Sequence, residues 1–164
     1  MAALSLAMEI GIDFCEAAYS LSSFSGIARR LEPIGRYKGR ALYYDYAHHP
    51  TEISASVSAL RESGEGSVTV VFRPHTYSRT KGLWQDFVRA LVGGDYAIIL
   101  DLDAVREGAD FSVSSDRLAR EVGGIYCPDA AGIGERLDNT DGAIILMGAA
   151  DLEDVKKYLT EASV

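Results

Sequence analysis

The sequence has 164 residues, 48% apolar and 24% charged, which is the balance of one compact soluble domain with room for a small appendage. A formal net charge of −8 argues against nucleic acid as a partner, since such binding neutralises phosphates with Lys and Arg. No apolar run nears the roughly 18 to 20 residues that span a bilayer, so no membrane partner is expected.

Residues 2–10 have high helix propensity, with Gly11 as the stop, and Asp13 caps a second helix over 14–21 that ends in Ser22-Ser23-Phe24-Ser25-Gly26. The N-terminus lacks the basic flank of a secretory signal. This pair is almost uniformly apolar or small, so it expects to pack on something else, either the following domain or a body missing from this chain. Cys15 and Cys127 lie far apart in apolar surroundings and read as reduced core residues of a cytoplasmic protein. A composition boundary falls near residue 27. Residues 27–40 are the most basic stretch, with Arg29, Arg30, Arg36, Lys38 and Arg40 among Pro33, Gly35 and Gly39. They predict a linker and then a hairpin of short strands near 34–37 and 41–45.

Beyond the hairpin the pattern is regular. Strand 41–45 leads to a helix with Pro50 at its first position and Ile53, Val57 and Leu60 on one face. The β-branched run Val68–Phe72 reads as a strand buried on both faces. Helix 80–92 carries Leu83, Phe87 and Leu91, and strand 96–100 ends at Asp101. The polar loop 102–113 is expected on the surface, and Ser114 or Ser115 caps a helix with Leu118 and Val122. A short strand at 125–127, a weaker helix to 137, strand 143–147 and a helix with Leu152, Val155 and Leu159 complete the chain. Alternating strands and helices predict an α/β, Rossmann-like three-layer domain with a mostly parallel sheet, behind a short N-terminal helical appendage.

In a parallel sheet all strands point their carboxyl ends at one edge, where ligands bind. The loops after strands 41–45 and 68–72 hold all three histidines, His48, His49 and His75. Asp45 offers acceptors suited to ribose hydroxyls or a cation, and Tyr46 and His48 add hydrogen-bonding groups. The helix starting at Pro50 presents free amides to an anion. His75 and Arg79 add a titratable ring and a guanidinium fork matched to a carboxylate or phosphate. Arg73, Arg79 and Lys81 share a segment without a carboxylate, which allows a local cationic pocket. The constellation suits an anionic substrate with a sugar hydroxyl nearby.

Plainer roles compete: a surface loop for the histidines, a helix cap for Asp45, a first-turn charge for Glu52, a solvated helix end for Arg79. A metal site from Asp45, His48, His49 and His75 finds no support in ligand spacing. The glycine-rich P-loop, the dinucleotide fingerprint and the nucleophile elbow are all missing, so the chain lacks its own phosphate-activating apparatus.

The segments Asp45-Tyr46-Ala47-His48-His49-Pro50-Thr51-Glu52 and Arg73-Pro74-His75-Thr76-Tyr77-Ser78-Arg79-Thr80 resemble the C-terminal domain of the Mur ligases, within them the branch that joins L-alanine to UDP-N-acetylmuramate, with the muropeptide-joining branch as neighbour. Ser25–Glu32 resembles the family's linker. The resemblance implies that residues 1–26 are a helical remnant of a central ATPase domain and linker, and 27–164 the amino-acid-binding domain. It implies a cytoplasmic ATP- and Mg2+-dependent amide-forming ligase of cell-wall biosynthesis, with ATP and Mg2+ held mainly by the missing central domain. Arg30 and Asp45 would contact the nucleotide. His48, His75 and Arg79 would be catalytic, and together with Tyr46 they would line the amino-acid and phosphate pocket. UDP-N-acetylmuramate would bind through missing domains, so the isolated chain is expected to be inactive. Arg73, Leu31 and Gly148-Ala149-Ala150-Asp151 depart from the family pattern. The alternatives are a stand-alone binding module that bridges partners through its apolar N-terminus, and a metal-dependent hydrolase using the histidines.

Overall fold

The computed structural model describes residues 2–24, 26–104, 107–110 and 112–161. Ser25 of the linker, and Val105, Arg106 and Phe111 of the expected surface loop, lie outside the described residues. Helices α1 (Ala2–Glu9) and α2 (Phe14–Ser22) form where propensity places them, Gly11 turning at φ +85° and the Asp13 carboxylate accepting from the Cys15 and Glu16 amides. No α1 residue is buried, and Ala17 alone is buried in α2. Leu6, Met8, Ile10, Phe14, Tyr19, Phe24 and Ile27 are exposed, and so is Cys15, which corrects the expectation that both cysteines are core. The reason is that this pair does not pack on the sheet; only Cys127 is buried.

Strands β1 (Glu32–Tyr37) and β2 (Arg40–Asp45) form the expected hairpin, turning at Lys38 (φ +48°) and Gly39 (φ +83°), the primed geometry that matches strand twist. Then follow α3 (Pro50–Glu62), β3 (Val68–Phe72), α4 (Tyr77–Gly82), α5 (Trp84–Val92), β4 (Tyr96–Leu100), α6 (Ser115–Glu121), β5 (Ile125–Cys127), a 3-10 turn (Ala130–Gly132), α7 (Ile133–Leu137), β6 (Ala143–Met147) and α8 (Glu153–Glu161). The single helix read over 80–92 is two helices, because the backbone breaks at Leu83 (φ −114°) and an extra turn begins at Tyr77. Among the described residues no helix is long and apolar enough to cross a membrane.

The six strands stand in the order β1-β2-β6-β3-β4-β5, antiparallel only at β1-β2. Alternation of strand side chains builds two cores. Val70, Phe72, Ile99 and Ile145 pack with Ile53, Phe87, Leu91 and Leu118 of α3, α5 and α6. Val71, Ile98, Ile144 and Leu146 pack with Ile133, Leu137, Val155 and Leu159 of α7 and α8. This is the three-layer α/β arrangement.

At the sheet edge opposite the strands' carboxyl ends, Arg40 satisfies the turn that feeds β6. Its guanidinium donates to the carbonyls of Leu137 (3.0 Å), Asp141 (3.0 Å) and Gly142 (2.6 Å) and to the hydroxyls of Thr69 (2.8 Å) and Thr140 (3.1 Å). Gly142 is required there, because a Cβ would stand 1.9 Å from the Ser67 carbonyl oxygen. Truncation of Arg40 would strand several partly buried acceptors. Arg40→Ala should lower the unfolding free energy in urea by about 3 kcal/mol, and Arg40→Lys, which lacks the fork, should recover less than half of it.

Candidate functional site

Asp45 and Phe72, the last residues of β2 and β3, both pair in register with Met147 of β6. The loops after β2 and β3 therefore leave the sheet at one level, about 10 Å apart at the usual strand spacing. Strand β6 stands between them and continues into Gly148. The chain leaves β2 and β3 towards α3 and α4–α5, but leaves β6 towards α8 on the opposite face, which opens a crevice at β6. Gly148 donates its amide to the Asp45 carbonyl (3.3 Å), and a Cβ there would lie 2.9 Å from the Arg73 carbonyl oxygen, so glycine keeps the floor of the crevice low.

One wall is built around Asp45, a carboxylate only 4% exposed. It accepts from the amides of Leu31 (3.2 Å) and Ala47 (2.9 Å) and from the Ser56 hydroxyl (2.8 Å). It is thus neither a helix cap nor a free group, and few of its acceptor positions remain open to a ligand. The linker is folded tightly against it: Arg29 (φ +58°) and Leu31 (φ +45°) adopt left-handed backbone, and the Arg29 carbonyl accepts the Tyr46 amide at 2.7 Å. The Arg29 guanidinium packs on the rings of Tyr44 (4.9 Å) and Tyr46 (4.8 Å) and donates to the carbonyls of Gly148 (3.3 Å) and Ala150 (3.2 Å). Exposed Arg30 reaches the other side of Tyr46, 5.6 Å from its centroid. Arg30, Leu31, Asp45, Glu52, Ala55 and Ser56 line a shallow groove of about 300 Å3.

The two adjacent histidines do different things. His49 is the cap of α3, its Nδ1 facing the Thr51 hydroxyl (2.8 Å) and amide (3.4 Å). His48 turns the other way, with Nδ1 3.0 Å from the Tyr46 carbonyl oxygen and the ring edge-on to Tyr46 at 5.2 Å. Glu52 closes the capping box by accepting the amides of His48 (2.9 Å) and His49 (3.1 Å). Burial pushes the Glu52 carboxyl up, but those two amides and the His48 ring outweigh it and hold the group below the ordinary glutamate range.

The other wall carries His75 and Arg79. His75 pairs in a short bridge with Asp103, whose amide donates to the Pro74 carbonyl (3.0 Å) and whose carbonyl accepts the Thr76 amide (3.2 Å). His75 Nδ1 and Arg79 Nη1 are both buried without a hydrogen-bond partner. The rest of the expected cationic cluster is neutralised by carboxylates from elsewhere, Arg73 by Asp154 (3.0 Å) and Lys81 by Asp110 (2.9 Å). Among the described residues, no hydrogen bond or ring contact joins the Asp45–Tyr46–His48 wall to the His75–Arg79 wall, and no group of three His, Cys, Asp or Glu side chains converges to hold a metal. Arg29 was legible only as part of a basic stretch. Its packing on Tyr44 of β2 and Tyr46 of the loop that follows leaves no local signal.

An open, mostly parallel sheet with a crevice at the point where its connections reverse is the architecture of a doubly wound α/β domain. The chain belongs to the family described as the Mur ligase, glutamate ligase domain, whose model matches residues 29–151. It is 36% identical to UDP-N-acetylmuramate–L-alanine ligase of Aquifex aeolicus over 169 aligned residues, which cover 100% of this chain and 37% of the relative. The chain thus spans about a third of the length of that relative. Among solved structures it resembles the UDP-N-acetylmuramate–alanine ligase of Thermotoga maritima, with a TM-score of 0.75 at 18% identity over 96% of this chain and 35% of that one. It also resembles Mycobacterium tuberculosis folylpolyglutamate synthase complexed with ADP, with a TM-score of 0.60 at 13% identity over 94% and 36% of the two chains. At such identities these structures speak for the fold.

The capping box gives a test of the His48–Glu52 wall. Glu52→Ala should destabilise the chain by about 1 kcal/mol at pH 7, about 2–4 °C in Tm for a chain of this size. A carboxyl held low in the folded state contributes stability that is present above its unfolded value and lost as pH falls through its folded one. The gap between wild type and variant should therefore close in thermal melts below about pH 4.

Proposed function

We propose that this chain is the C-terminal part of an ATP-dependent ligase that joins L-alanine to UDP-N-acetylmuramate in peptidoglycan synthesis, with residues 1–26 belonging to a preceding ATPase domain and its linker and 27–164 forming the amino-acid domain. The observation that carries the reading is the pair of buried, unpartnered atoms, Arg79 Nη1 and His75 Nδ1, at the switch-point crevice of a Mur ligase family domain. A buried guanidinium N–H without an acceptor is costly, and an incoming carboxylate relieves that cost with a charge-assisted bond.

Each group then has a task its surroundings suit. Arg79 holds the carboxylate of the amino acid, with His75 beside it. The Nδ1–H of His48, donated to the Tyr46 carbonyl, leaves Nε2 as a lone-pair acceptor able to take a hydrogen bond, and then a proton, from the attacking amine. Tyr46 fixes that ring by its edge. The groove of Arg30, Leu31, Asp45 and Ala55 fits a nucleoside in its chemistry: apolar walls, a planar cation at the rim and a carboxylate acceptor at the base. ATP, when bound, supplies the phosphoryl group that activates the muramoyl carboxylate. Its triphosphate and Mg2+ find no cradle in this chain, which has neither a P-loop sequence nor a converging ligand set among the described residues. The exposed apolar face of α1 and α2 suits burial against the domain that would carry them.

To test this, the chain is joined behind the preceding part of the Aquifex aeolicus relative and phosphate release is followed with ATP, UDP-N-acetylmuramate and L-alanine. The wild-type chain should support turnover. Arg79→Ala should raise the KM for L-alanine by about 10- to 100-fold, the worth of one charged hydrogen bond, and His48→Ala should lower kcat with a smaller effect on KM. Turnover that ignores L-alanine, or that is indifferent to Arg79, would refute the reading.

A further inference from the structure

Helix α4 has only six residues, Tyr77–Gly82, and it begins badly. The residue at its cap, Thr76, sits at φ +68°, where a β-branched side chain is strained, and its hydroxyl makes no capping bond; it accepts from no amide of the first turn. The isolated sequence of α4 would not hold this shape, since a helix this short is marginal and its first amides lack local acceptors. Yet the helix carries Arg79, and its geometry fixes where that guanidinium lies.

The missing cap comes from 29 residues away. The Glu107 carboxylate accepts the Ser78 amide at 3.0 Å and the Ser78 hydroxyl at 2.5 Å. Those two bonds hold the Glu107 carboxyl below the ordinary range. The same segment holds the stretch at two further points, one just before α4 and one within it. Asp103 pairs with the backbone on either side of His75, and Asp110 binds Lys81 at the far end of the helix at 2.9 Å. Asp103 and Asp110 therefore bracket the turn, and Glu107 bonds the orphan amide between them. Both unpartnered atoms of the wall, His75 Nδ1 and Arg79 Nη1, lie within the stretch that these three residues hold.

We propose that Glu107 is a positioning residue for amino-acid binding: it caps α4 from outside and so holds the strained Thr76–Arg79 turn that presents Arg79 to the substrate carboxylate. This rests on the reading of Arg79 as the carboxylate-binding group. The role requires an acceptor at Ser78, not a negative charge in the crevice. A glutamine at 107 keeps an acceptor oxygen for the amide and an NH2 that the Ser78 oxygen can accept, so it should largely replace the glutamate, whereas alanine cannot.

Two measurements separate this proposal from the functional reading beneath it. In the chain as it stands, amide hydrogen exchange is read at Ser78 by NMR: Glu107→Ala should speed it about 10-fold or more, the loss of a charge-assisted bond, and Glu107→Gln should stay within about 3-fold of wild type. In the joined ligase, Glu107→Ala should raise the KM for L-alanine by about 10-fold with kcat within about 2-fold, and Glu107→Gln should again restore most of it. Unchanged exchange at Ser78 in Glu107→Ala overturns the capping role whether or not the ligase turns over. Faster exchange with an unchanged KM overturns the positioning role, and a Glu107→Gln variant as impaired as Glu107→Ala shows that charge, not capping, is what matters. A wild-type ligase without turnover refutes the functional reading and, with it, the substrate half of this proposal.

Discussion

A single buried carboxylate joins the parts of this molecule that have to act together. Asp45 ends β2, and through Leu31, Ala47 and Ser56 it binds the linker, its own loop and helix α3 at once. A carboxyl group this buried is tolerated because donors surround it, and removal of any one donor would leave it poorly satisfied. The constraint runs outward. With Asp45 fixed, Tyr46 is fixed, and Tyr46 carries both the stacked Arg29 and the edge of His48. The hydrogen bond from Gly148 to the Asp45 carbonyl carries the same order to the floor of the crevice.

The crevice has two walls of different character. The Asp45 wall is held by its own hydrogen bonds, with Asp45 bonded to the linker, its loop and α3 and the two histidines assigned to a cap and a ring contact. Arg29 Nε and the Tyr44 hydroxyl are nonetheless buried there without partners. The Arg79 wall is held from outside by Asp103, Glu107 and Asp110 and keeps two buried polar atoms without partners. Natural proteins rarely leave such atoms unmatched, and where they do the explanation is a ligand, water or strain. What differs between the walls is the origin of the bonds that hold them. This fits the proposed site, in which one wall orders the chain's own linker, the other offers Arg79 to a substrate, and a preceding domain closes the gap. The exposed apolar side chains of α1 and α2, among them Leu6, Met8, Phe14 and Tyr19, are where that closure would bury surface.

Much of this was legible in the sequence, for identifiable reasons. The six strands and their helices follow from periodicity, and Pro50 and Asp13 mark helix starts by rules that depend on near neighbours. The hairpin turn at Lys38-Gly39 is equally local. The carboxyl-edge placement of His48 and His75 needed only the parallel sheet. What escaped depends on distant partners. Insertion of β6 between β2 and β3 is a topological fact with no local signal, and so is the Glu107–Ser78 contact. The split of helix 80–92 at Leu83 was hidden because Leu83, Phe87 and Leu91 keep helical spacing across the break. Cys15 was misplaced because apolar neighbours in sequence were taken for a core that this chain does not supply. His48 and His49 are adjacent in sequence but part in the structure, where the His49 ring caps α3 and the His48 ring faces Tyr46.

The central claim is that Arg79 receives the carboxylate of the incoming amino acid while Asp45 goes on holding the linker. It is tested most directly by a crystal structure of the joined ligase with L-alanine and a non-hydrolysable ATP analogue. The account predicts the alanine carboxylate at about 3 Å from Arg79 Nη1, with the Asp45–Leu31 bond intact. A carboxylate bound away from Arg79, with Nη1 still unpartnered, would contradict it.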